Sequence, residues 1–116
     1  MIGGNGERKT MRLVAQYGDI ANFTLQDVDA IAARIQALRE HCDRLGRDVS
    51  EIELTALVAA VDPLDADAFL AHAEKLAALG IEHVQFRDRV ADPVGAITEF
   101  GEKVAPRLAD IRPAGR

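Results

Sequence analysis

The hydrophobic positions Val28, Ile31, Ile35, Leu38, Cys42 and Leu45 step by three and four, with Arg34, Arg39, Glu40 and Asp43 between them. That spacing predicts an amphipathic helix from about Gln26, which Gly46 ends. Upstream, Met11, Leu13, Val14 and Tyr17 recur at helical spacing over residues 7–17, and Gly18 follows as a stop. The segment Asp19-Ile20-Ala21-Asn22-Phe23 reads as a short strand. Residues 52–61 begin by alternating and become apolar on both faces, the signature of a strand buried between two layers. Asp62-Pro63 breaks that run. Asp65 is a candidate N-cap for a helix carrying Phe69, Leu70, Ala73, Leu76 and Ala77, closed by Gly80. His83-Val84-Gln85-Phe86-Arg87 then alternates, with Val84 and Phe86 on one face and His83, Gln85 and Arg87 on the other. Asp92-Pro93 opens a last helix carrying Val94, Ile97, Phe100, Val104 and Leu108, bent near Pro106, and the tail after Ile111 is expected to fray.

Helices thus alternate with three strands, the serial pattern of an α/β fold with a parallel sheet. Three strands cannot close a barrel, which takes about eight. The sheet edges are therefore expected to stay open, and open edges lined with Ile and Val favour self-association into a dimer or larger assembly. At 116 residues the chain has room for one domain, 1–116, around a single core. With 48% hydrophobic residues and four prolines it should fold. Four Phe, one Tyr and no Trp make the core aliphatic and Ala-rich. A formal charge of −5 lacks the basic patch that phosphate-backbone binding requires, so nucleic acid is not an expected partner. No apolar run is long enough to span a bilayer, and the lone Cys42 suits a reducing cytoplasm. The expected localisation is cytoplasmic, with no membrane contact.

Two places hold candidate chemistry. Gly3-Gly4-Asn5-Gly6-Glu7-Arg8-Lys9-Thr10 opens a helix, whose free N–H groups and positive dipole end can hold a phosphate. It is neither a Walker loop nor a dinucleotide fingerprint, and a flexible turn is the competing reading. Arg8 and Lys9 favour the anion site, because two cations near a helix start oppose the dipole unless an anion or a carboxylate offsets them. The second place is the polar face of His83, Gln85 and Arg87. In a barrel, C-terminal strand ends bear the active site, which puts Arg87 at that rim, with Asn22 and Thr24 able to line it. The competing readings are a surface pair of Arg87 with Asp88 or Asp92, and a turn and N-cap at Asn22 and Thr24. His41 and Cys42 point about 100° apart on a helix, and no further ligand completes a metal site, so none is expected. Cys42 falls on the apolar stripe and reads as core, His72 is a lone helical residue, and Glu40, Asp43, Glu74, Glu99 and Glu102 read as solvated. No nucleophile, triad or carboxylate pair emerges, and the catalytic residues stay unknown.

The run from Ile2-Gly3-Gly4-Asn5-Gly6-Glu7 through Thr10-Met11-Arg12-Leu13-Val14-Ala15 to Tyr17-Gly18-Asp19 and Asn22 resembles a segment of luciferase-like monooxygenases. His41-Cys42, Gly46-Arg47-Asp48, Glu51-Ile52 and Thr55 match the same family's downstream linker and strand, and Pro106-Arg107-Leu108 matches near the C-terminus. Gly18 departs from the usual Ala. The likeness covers nearly the whole chain. It implies the C-terminal half of a (β/α)8 TIM-type barrel, with alternating helices and parallel strands, that binds FMN or coenzyme F420. Ile2-Gly3-Gly4 would be the tip of the fifth strand, residues 20–23 the sixth, 52–60 the seventh and 83–87 the eighth. Met1 stands where the family has the buried strand leading into Ile-Gly-Gly. By this resemblance Gly3, Gly4, Asn5 and Gly6 take the cofactor phosphate, and the rim residues Asn22 and Arg87 are the candidates for the substrate side. Strands one to four, a missing N-terminal half, would supply much of the ring pocket, so the chain is not expected to be active alone. The alternative is a non-enzymatic, self-associating half-barrel module.

Overall fold

The computed structural model describes residues 1–3, 6, 8–59, 61, 62, 64–86 and 92–114. Along them the chain runs β1 (Ile2–Gly3), α1 (Lys9–Tyr17), β2 (Ile20–Phe23), α2 (Val28–Leu45), a 3-10 turn (Val49–Glu51), β3 (Glu53–Val58), α3 (Ala66–Ala78), β4 (His83–Phe86), α4 (Pro93–Lys103) and α5 (Ala105–Leu108). The strands form one parallel sheet in the order β1-β2-β3-β4. Parallel neighbours need a crossover, and α1, α2 and α3 provide the three. The α/β class and the alternation of helices with parallel strands are as expected, and a sequential four-strand sheet is compatible with half of an eight-stranded barrel.

Local chemistry sets the element ends. Asp27, Asp65 and Asp92 cap α2, α3 and α4, their carboxylates accepting from the backbone N–H of Asp29, Ala68 and Gly95 at 3.1, 3.2 and 3.0 Å. Gly46 and Gly80 end α2 and α3 at φ 70° and 94°, the left-handed region that a side chain disfavours.

The two faces of the sheet differ in composition. Ala21 and Phe23 on β2, and Leu54, Ala56 and Val58 on β3, are buried with Met11, Val14, Ile31, Leu38 and Phe69 from the helices. Alternation puts Gly3, Ile20, Asn22, Glu53, Thr55, Leu57, His83 and Gln85 on the other face. Consecutive right-handed crossovers put α1 to α3 on one side, which leaves this second face without a helical layer.

Three expectations are corrected. Periodicity alone predicts three strands, but Ile2–Gly3 pairs with Ala21 and Asn22 as a fourth. Two residues are too few to carry a period-two signal. The strand expected over 52–61 spans only Glu53–Val58, because Ile52 still belongs to the turn, its N–H bonded to the Val49 carbonyl. The last helix is divided at Val104 instead of bent. Pro106 has no N–H to give the preceding turn, so α4 ends and α5 restarts one residue later.

Candidate functional site

The C-terminal strand ends gather the candidate residues that the structure describes. Gly3 lies opposite Asn22 in the β1–β2 register, on the face without helices. A Cβ added at Gly3 would meet nothing within 4 Å, so the backbone there borders open space. Gly6 is exposed, and its carbonyl accepts from the Met11 N–H at 3.1 Å, tying the turn to α1. A Cβ at Gly6 would approach the Thr10 hydroxyl to 3.0 Å, so a side chain fits there only if Thr10 shifts. Arg8 at the start of α1 contributes no side-chain cap, and the first turn of α1 holds no acidic residue. The candidates Gly4, Asn5 and Arg87 lie outside the described residues, as do Asp88 and the end of the His83–Arg87 alternation.

Asn22 is engaged. The Thr55 hydroxyl donates to its side-chain oxygen at 2.7 Å and lies 3.0 Å from the Ala21 carbonyl oxygen. Thr55 is the one buried polar residue among the described residues of the core. The register places Gly3, Asn22, Thr55 and His83 in one row across the four strands. Beside that row Leu57 pairs with Gln85, so the open sheet face offers the amides of Asn22 and Gln85 and the His83 imidazole, while the Thr55 hydroxyl is buried in its contact with Asn22.

Gln26, which periodicity marks only as the start of α2, is a positioning residue at this rim. Its amide nitrogen donates to the Thr24 carbonyl at 2.7 Å and to the Leu57 carbonyl at 3.0 Å, and its oxygen accepts from the Ala59 N–H at 2.8 Å. One side chain thus stitches the β2–α2 loop to the end of β3. Gln26→Ala should destabilise the chain by about 1–2 kcal/mol, since three backbone groups lose a partner but can reach water. Urea denaturation measures it, and hydrogen exchange at Ala59 should accelerate.

Two hollows lie away from the rim. A groove of about 270 Å³ follows the beginnings of the strands on the open face, lined by Met1, Ile20, Glu53, Thr55, His83 and Gln85. A cavity of about 330 Å³ lies where α3, β4, α5 and the tail meet, with Ala73, Ile81, His83 and Leu108 in its wall. Cys42 is fully buried, and burial pushes its thiol pKa up, so it stays protonated at neutral pH as a core side chain. Burial, helped by Lys75, pushes His72 down. Among the described residues, no three His, Cys, Asp or Glu side chains form a group that could hold a metal, and no helix is long and apolar enough to cross a membrane. Comparison with protein-family models and with curated proteins finds no match to this chain.

Proposed function

We propose that this chain supplies the phosphate-binding half of an oxidoreductase barrel of the luciferase-like kind, using FMN or coenzyme F420, and does not complete the reaction alone. The observation that carries the reading is the parallel sheet in sequential order, which sets Gly3 at a C-terminal strand end directly ahead of α1. Barrel enzymes bind their ligands at that end of the sheet. Open space beside Gly3 and an α1 start without a side-chain cap fit a phosphate, whose charge would also offset Arg8 and Lys9. Asn22, in the same register row as Gly3, would face the remainder of the bound group.

The ring is a different matter. The described residues offer it one wall, built from Ile20, Asn22, Thr55, Leu57 and Gln85, whereas a ligand pocket encloses most of its occupant. The reduced cofactor supplies the hydride or oxygen chemistry, and the protein's part is binding and orientation. A non-enzymatic half-barrel module is the second reading, favoured by edge strands β1 and β4 that, among the described residues, each pair on one side only.

Equilibrium binding separates the two. Micromolar, saturable binding of FMN or coenzyme F420, displaced by inorganic phosphate, is expected. Gly3→Val should weaken it about tenfold, roughly 1.4 kcal/mol, by filling the space beside the turn, with the circular dichroism spectrum unchanged. Absence of binding to either cofactor would leave the module reading.

A further inference from the structure

The large hydrophobic side chains that the fold leaves exposed are concentrated at its two ends. Met1 adjoins the outer strand β1, Leu13 (42% exposed) and Tyr17 (70%) lie on the outer helix α1, and Val94 (76%) and Ile97 (61%) lie on the outer helix α4. Leu45, at the end of α2, is the exception among the described residues.

Their angular positions carry the argument. With about 100° per residue, the buried Met11, Val14 and Ala15 define the sheet-facing side of α1; Tyr17 lies about a third of a turn around from it and Leu13 further round, about 150°. α1 runs antiparallel to the strands after a right-handed crossover, which turns that flank away from α2. On α4, Ala96, Phe100 and Val104 face inward, and the same geometry turns Val94, Ile97 and Gly101 to the flank away from α3. Each outer helix therefore carries an apolar stripe on the side where the next helix of a ring would sit.

We propose that two copies of this chain close into one eight-stranded barrel, β4 of each copy running parallel to β1 of the other and α4 of each packing on α1 of the other. A two-fold axis along the barrel keeps all eight strands parallel and makes the two junctions identical. Both halves of each junction are present on this chain: among the described residues, an unpaired β1 edge with the α1 stripe and an unpaired β4 edge with the α4 stripe. A second copy is thus a sufficient occupant. The stripes also occupy matching positions along their helices. Leu13 and Ile97 are each the fifth residue of their helix and Tyr17 and Gly101 each the ninth, and Gly101 has open space where a Cβ would be, so the Tyr17 ring can lie over it. Closure buries the uncovered sheet faces, about 19 Å by about 15 Å in each copy from strand spacing and rise. Two helix junctions add to this, toward the roughly 1,200 Å² in total that a stable interface buries. The pairing does not depend on cofactor binding, and its test uses a different readout.

Sedimentation equilibrium of the full chain should give a dimer, twice the 12.5 kDa of one chain. Leu13→Glu alone and Ile97→Lys alone should each raise the dimer dissociation constant at least tenfold. The double variant Leu13→Glu/Ile97→Lys should restore it, because it sets opposite charges level across both junctions. Leu45→Lys should leave it unchanged. Should a single variant unfold instead of dissociating, the double variant still decides: a folded dimer supports the junction, and failure to recover overturns it. A monomer of the unsubstituted chain at every soluble concentration overturns the proposal and leaves the open face to a different chain. A dimer indifferent to both single substitutions overturns it as well.

Discussion

Phe69→Ala should cost about 3–5 kcal/mol, a large share of the 5–15 kcal/mol that holds a domain of this size together. Phe69 is fully buried on α3, and its ring meets Phe86 of β4 edge-on at 6.2 Å and Phe100 of α4 edge-on at 5.3 Å. Phe86 and Phe100 also touch each other, at 4.3 Å. Three of the four phenylalanines thus form one cluster joining three elements, and removal of the central ring leaves a cavity that the others can only partly fill. Each edge-on pair adds about 0.5–1.5 kcal/mol beyond the area it buries. The loss should appear as a lower urea midpoint, and hydrogen exchange should rise first in α4, whose inward side rests on Phe100. Phe69→Leu, which keeps most of the volume, should lose less than half as much. Equal losses for the two variants would mean that the cluster contributes ring geometry and that retained bulk does not replace it.

Much of this fold is legible in the sequence because its signals are local. Asp65 and Asp92 cap the helices they precede, and Gly46 and Gly80 end theirs in a backbone conformation that favours glycine. Eighteen residues of α2 repeat their apolar step often enough to be unmistakable. β1 is the opposite case. Its two residues have no period, and only the resemblance through Ile2-Gly3-Gly4 points to a strand there. The break at Val104 escapes a reading by apolar spacing for a related reason, since Val104 and Leu108 keep the helical step across the interruption that Pro106 causes.

The candidate site is less legible, because its members meet through register. Gly3 and Asn22 are neighbours only once β1 and β2 pair in parallel, and nothing in their spacing reports it. Thr55 sits in the alternating start of its run as one more polar position, and nothing there reports that its hydroxyl engages Asn22. Gln26 resembles any first residue of a helix until the ends of β2 and β3 are set side by side. Such polar contacts depend on the fold as a whole, whereas periodicity and capping are properties of a few consecutive residues.

Arg47→Ala is expected to destabilise the chain by about 1.5–3 kcal/mol, the range for hydrogen bonds from a charged donor. The sequence places Arg47 in a polar turn after Gly46, but the guanidinium reaches across to the end of α1. One of its nitrogens donates to the carbonyls of Val14 and Ala15 at 3.2 and 3.0 Å. These are carbonyls of the last turn of a helix, where the dipole is negative and a cation is favoured. The same guanidinium lies 3.3 Å from Glu51 and 3.9 Å from Asp19, both largely exposed. Exposed pairs of that kind contribute little and are screened by salt, so the carbonyl contacts should dominate. Two consequences separate the contributions. Glu51→Gln should change stability by under about 0.5 kcal/mol, and the Arg47→Ala loss should persist at high salt. Arg47→Lys should fall between wild type and Ala, because an ammonium keeps the charge but sits one bond short of the nitrogen that meets both carbonyls and lacks the Nε–H that meets Glu51. A Lys variant as stable as wild type would assign the whole effect to charge at the helix end and none to the reach of the guanidinium.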